Sequence, residues 1–139
     1  MPDADTPDTP GTAETPVPLG IEWNDLTVPD AEALVPFYSR VVGFEARPVP
    51  MRDGGETYDD YTLCDPVSGE VRAGLCHARG PNAGLPPVWV PYVRISDFDA
   101  SLSACVALGG EIVDGPRPMA GQRFALVRDP AGAYIGLLG

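Results

Sequence analysis

Apolar positions along this chain change their spacing in a set order, and the order occurs twice. Residues 23–28 and 90–95 alternate apolar and polar positions as half-buried strands do. Each is followed by a helical pattern. The first opens at Asp30, a good N-cap, with Glu32 in its first turn. It spaces Leu34, Phe37, Tyr38, Val41 and Val42 along one face and stops at Gly43. Pro36 interrupts that run and predicts a kinked or widened turn. The second opens at Asp97, places Phe98, Leu102, Cys105 and Val106 on its inner face, and stops at Gly109. Three short strands are expected after each helix, near 45–49, 57–64 and 71–77, and near 111–114, 122–128 and 133–138.

The two runs match weakly, at a few landmark positions. Thr27-Val28-Pro29-Asp30 corresponds to Arg94-Ile95-Ser96-Asp97, and Asp65-Pro66 to Asp129-Pro130. Val42-Gly43-Phe44-Glu45 corresponds to Leu108-Gly109-Gly110-Glu111, and Gly74-Leu75 to Gly136-Leu137. A unit of roughly 65 residues is too long for a solenoid repeat and fits two copies of a small α+β module. The fold class expected is α+β: two tandem βαβββ modules, about 19–80 and about 86–139, forming an open eight-stranded cup with helices outside. Residues 1–18, rich in Pro, Thr and Asp, read as a disordered tail ahead of a single domain at 19–139.

Charge narrows the partners. The formal net charge is −11, from 20 acidic and 9 basic residues, and every cation is an arginine. Nucleic acid and anionic membrane are therefore not expected as partners. No apolar run reaches the roughly 18–20 residues of a membrane span, and no secretory leader is recognisable, so a cytoplasmic location is expected. Cys64, Cys76 and Cys105 are odd in number and lack CxxC spacing, which argues against a disulfide framework or structural zinc. They read as small buried hydrophobes.

Trp23 to Asp30, then Phe37-Tyr38 with Val42-Gly43-Phe44, and Asp129-Pro130-Ala131-Gly132 before the last strand, together resemble the vicinal oxygen chelate superfamily. That superfamily holds glyoxalases, bleomycin resistance proteins and dioxygenases. The stretch Cys76–Pro87 is similar to glyoxalase-like bacterial members. The resemblance covers about residues 20–139. It implies four metal-ligating positions, on the first and last strand of each module, normally His, Glu or Gln. Those positions fall on Trp23, Gly74, Val90 and Gly136 here, none of which ligates. The resemblance therefore implies a member without the usual ligands, with no metal and no cofactor. The glycines are expected to leave room where a metal would sit. The lone His77 is read as structural or surface.

Alternation places Trp23, Asp25, Thr27, Arg72, Gly74, Cys76, Val90, Tyr92, Arg94, Tyr134, Gly136 and Leu138 on the concave face. The opposite set, Leu26, Val28, Leu75, Val93, Ile95, Ile135 and Leu137, is apolar and suits packing under helices. Trp23, Asp25, Arg72, Cys76, Tyr92, Arg94 and Tyr134 are thus the candidate ligand-binding residues, and Asp25 the candidate catalytic group. The plain alternative is that Asp25 pairs with Arg72 or Arg94 only to close the cup. Asp59-Asp60 reads as exposed acids on a solvated edge. The functions left open are metal-independent binding of an unknown small molecule, a lyase, isomerase or dioxygenase-like enzyme working through Asp25 and arginines, and an interaction module. A homodimer is expected, because an open sheet edge invites pairing.

Overall fold

A computed structural model describes residues 19–139. The tail expected at 1–18 lies outside the described residues. The elements are β1 (Ile21–Val28), α1 (Ala31–Val41), β2 (Glu45–Asp53), β3 (Glu56–Cys64) and β4 (Val71–His77). A short 3₁₀ turn (Gly80–Asn82) leads to β5 (Trp89–Arg94), α2 (Phe98–Ala107), β6 (Glu111–Met119), β7 (Gln122–Arg128) and β8 (Tyr134–Leu138). All eight strands form one mixed sheet, ordered β2-β3-β4-β1-β5-β8-β7-β6. β1 and β5 meet antiparallel at its centre, flanked by β4 and β8, which run parallel to them.

The helices begin alike. Asp30 accepts from the Ala33 amide at 3.2 Å, and Asp97 accepts from the Ala100 amide at 3.1 Å. Each satisfies an amide that the first turn leaves without a partner. α1 continues through Pro36. The turns before β4 and β8 are also equivalent. Asp65 accepts from the Val67 and Ser68 amides, and Asp129 from the Ala131 and Ala133 amides. Those amides hold the Asp65 carboxyl below its ordinary range.

The helices cover one face of the sheet. Leu26, Val28, Leu63, Ala73 and Leu75 are buried with Leu34, Val35 and Tyr38 of α1. Ala125 and Val127 are buried with Phe98 and Leu102 of α2, joined by Ile95, Ile135 and Leu137. The other face carries a third cluster: Val90, Tyr92, Phe124, Leu126 and Leu138, with Trp23, Leu85, Met119 and Tyr134 packed on it. This face is concave. Laid flat, the two edge strands would be about 34 Å apart at the usual strand spacing. Yet Arg79 bonds Glu56 and Asp53 at the β2–β3 tip, and Asn82, three residues on, accepts from Arg117 of β6. One short turn reaches both edges because the sheet curls around it.

Some burial expectations are corrected. Phe37, Val41 and Val42 are 53%, 65% and 55% exposed, since α1 touches the sheet through Leu34, Val35 and Tyr38 instead. Val106 of α2 is also exposed, the helix being anchored by Phe98 and Leu102. β2 and β6 run longer than expected. Each holds two prolines, Pro48 and Pro50, and Pro116 and Pro118, which an edge strand tolerates on its unpaired side.

Candidate functional site

The middle of the concave face is built from β1 and β5. Trp23 lies opposite Tyr92, and Asp25 opposite Val90. Asp25 and Tyr92 are therefore diagonal neighbours, a separation that a long aromatic side chain bridges. The Trp23 Nε1–H donates to Asp25 Oδ1 at 2.7 Å, and the Tyr92 side chain lies beside the same carboxyl. Burial pushes the Asp25 carboxyl above its ordinary value, against the Trp23 hydrogen bond and the neighbouring Tyr92 hydroxyl, and the Asp60 charge adds to the rise. Burial likewise pushes the Tyr92 hydroxyl and the Cys76 thiol well up, helped by the Asp25 carboxyl beside both.

Trp23, Asp25 and Tyr92 line a cavity of about 180 Å³ with Met119, Ala120, Gln122 and Leu138. Gln122 brings a directed polar group. Its side-chain amide lines the cavity, and its Oε1 accepts from Arg94 Nη1. Sequence reasoning missed Met119, Ala120 and Gln122, which follow from the curl that brings the β6–β7 tip over the centre. The cavity therefore presents a carboxyl, an amide donor, two aromatic side chains and a thioether.

The other candidates sit apart from this cavity in graded ways. Cys76, part-buried, lies near the carboxyls of Asp25 and Asp60. Tyr134 packs on the apolar cluster of the same face and lies opposite Arg128 across the β7–β8 ladder. Arg94 turns to Glu22 at 3.0 Å and reaches the cavity only through Gln122. Arg72 does not belong to the site. The β3–β4 register steps from Ala73 to Val71 at a bulge, and Arg72 pairs instead with Glu70 at 3.0 Å and Asp65 at 3.9 Å. Neither arginine pairs with Asp25, so the ion pair weighed as the plain alternative is absent among the described residues.

Asp60 is not an exposed edge acid. It is 6% exposed, and its Oδ1 accepts from the His77 amide at 2.8 Å and lies 3.3 Å from His77 Nδ1. The His77 ring sits edge-on to Tyr58 and 3.8 Å from Asp30. Its signal in the sequence was the alternation itself, since Asp60 shares the face of Thr62, which pairs with Gly74.

The glycines do not leave room. A Cβ on Gly74 would overlap Asp25 Oδ1, with Trp23 Cζ2 at 3.5 Å. A Cβ on Gly136 would lie 2.7 Å from Tyr92 Cδ1. Asp25 pairs with Gly74 across one parallel ladder and Tyr92 with Gly136 across the other. Each side chain leans over the glycine on its neighbouring strand. Among the described residues, no group of three or more His, Cys, Asp or Glu side chains is placed to hold a metal. The residues present do not fit the metal that the resemblance implies.

Comparison with known proteins agrees with this fold. The family model "Glyoxalase/Bleomycin resistance protein/Dioxygenase superfamily" matches residues 20–137. "Putative glyoxylase CFP32" of Mycobacterium tuberculosis is 31% identical over 117 residues, 83% of this chain and 43% of that protein. "Anthracycline biosynthesis protein DnrV" of Streptomyces peucetius is 30% identical over 123 residues, 83% of this chain and 45% of that protein. The chain thus spans less than half the length of these relatives. A solved member of the same superfamily from Vibrio splendidus has the same fold, with a TM-score of 0.52 at 16% identity, covering 84% of this chain and 95% of that one.

Proposed function

The chain belongs to the glyoxalase/bleomycin resistance protein/dioxygenase superfamily, and on that footing we propose that it binds a small organic molecule on its concave face without a metal. The observation that supports this is the cavity at the sheet centre, where a desolvated carboxyl meets an amide donor and aromatic walls. Small-molecule sites combine apolar walls with a few directed polar groups in this way. A cavity of about 180 Å³ takes a molecule of about one ring. The ligand places a hydrogen-bond donor on Asp25 and an acceptor on the Gln122 amide.

A screen of one-ring amides, phenols and heteroaromatic amines by ligand-observed NMR tests this. Hits should be lost in Gln122→Ala and in Trp23→Ala. A full screen without one specific hit on the folded chain would defeat the reading. A second reading is proton transfer, because Asp25 has the raised affinity for a proton that an acid–base group needs. It predicts turnover of a bound hit that Asp25→Asn abolishes while binding persists.

Association forms part of the same reading. Two copies pair through α1, where Phe37, Val41 and Val42 are exposed, and not through the sheet edges. The paired prolines of β2 and β6 remove donors that strand addition needs. Sedimentation should give a dimer that Val41→Glu converts to monomer, and a parent mass of one chain at tens of micromolar would refute it.

A further inference from the structure

Two glycines of the sheet are crowded in the same manner, and by residues that correspond in the two halves. Gly74 corresponds to Gly136, and Asp25 of β1 corresponds to Tyr92 of β5. In the first half the space above Gly74 holds the Asp25 carboxyl; in the second, the space above Gly136 holds the Tyr92 ring. The two intruding groups are diagonal neighbours on the paired strands β1 and β5, and Asp25 Oδ1 is fixed by the Trp23 Nε1–H at 2.7 Å.

We infer that Asp25 and Tyr92 form a single carboxyl–phenol couple that fills the volume of both lost ligand side chains, so that the floor refuses a divalent metal and presents hydrogen-bonding groups in its place. The steric part stands on geometry alone. A side chain of any size at 74 or 136 collides with the group now above it, so ligands on β4 and β8 and the couple on β1 and β5 exclude one another. The remaining two ligand positions, Trp23 and Val90, offer no donor to a metal. The chemical part rests on the small-molecule reading above. The floor suits a ligand with a single donor or acceptor group, and not one whose two adjacent oxygens need a shared cation.

The test is a thermal double-mutant cycle on the full chain, with metal titration beside it. Gly74→Ala alone should lower Tm by roughly 5–10 °C, because the carboxyl must be displaced from its bonds. In an Asp25→Ala background the same change should cost less than about 2 °C, since the obstruction is gone. Gly136→Ala with and without Tyr92→Ala gives the second cycle, and keeps the test open should Gly74→Ala not fold. Additive shifts in both cycles would overturn the inference. Titrated with Zn²⁺, Ni²⁺ and Mn²⁺, the parent should give no saturable one-to-one heat; one-to-one binding lost in Asp25→Ala would overturn it too. These readouts need no ligand. A failed screen therefore counts against the binding reading alone, and additive cycles against the couple alone.

Discussion

Asp60→Ala is the sharpest test of how the floor is held. Asp60 is buried, and its Oδ1 takes both the His77 amide at 2.8 Å and His77 Nδ1 at 3.3 Å. Removing the carboxyl orphans a backbone N–H at the end of β4, which costs about 1–3 kcal/mol. The longer ring contact adds about 0.5–1 kcal/mol. The sum is about 1.5–4 kcal/mol. For about 120 ordered residues the unfolding entropy is about 0.25 kcal/mol/K, so each kcal/mol moves Tm by about 4 °C. Calorimetry at pH 7 should then show a fall of about 6–16 °C. Asp60→Asn retains a carbonyl acceptor for the amide and should lose less than half of that. His77→Ala leaves its own amide bonded to Asp60 and should also cost less than Asp60→Ala. If Asp60→Ala melts within about 2 °C of the parent, or His77→Ala costs more than it does, Asp60 is not the anchor of this strand end.

Three further outcomes follow from the same groups. The folded-state Asp25 carboxyl lies above its ordinary 3.8, so the fold favours its neutral form. The stability it contributes is full below about pH 3.8 and is lost as pH rises through the folded-state value. Between pH 4 and 8, Asp25→Asn should therefore flatten the parent's Tm profile, and parallel profiles would refute the shift. Trp23→Phe removes the donor that holds Asp25 down, so the Asp25-dependent loss of stability should move to higher pH, as seen in the same melts. Burial and two carboxyls keep the Cys76 thiol protonated, so Ellman's reagent at pH 8 should label Cys76, in a chain with Cys64 and Cys105 changed to Ala, at least about tenfold more slowly than it labels the urea-unfolded chain.

The faces of the sheet were legible because alternation leaves only two choices and one set is uniformly apolar. Leu26, Leu75, Ile135 and Leu137 lie under the helices, and Trp23, Asp25 and Tyr92 lie opposite. The N-caps were legible because Asp30 and Asp97 act within three residues of themselves. Arg72 was not, since it is itself the extra residue of a bulge on β4, which resets the register without any local mark. The exposure of Phe37 and Val41 was hidden too: periodicity shows that a helix has an apolar stripe, not how much of it the sheet is wide enough to cover. The filling of the glycine hollows was the least legible. A glycine reads as empty space until the neighbouring strand's side chain is known to lean across it.

That leaning connects the fold to the site. In the four-position arrangement that the superfamily implies, a site draws on β1, β4, β5 and β8. Here its carboxyl and phenol come from β1 and β5, adjacent antiparallel strands at the middle of the sheet, and its amide from Gln122 of β7. A pair of groups on two bonded strands needs no agreement between distant elements. Its spacing is set by the ladder that places Trp23 opposite Tyr92 and Asp25 opposite Val90. The same two strands are enclosed by β4 and β8, whose glycines now serve as sockets instead of supplying ligands. Change at positions 25 or 92 is then tied to change at 74 or 136, within each half separately, because each socket accepts only the side chain that fills it. The outer strands remain free to vary in length and to carry prolines, as β2 and β6 do, without disturbing the geometry at the centre.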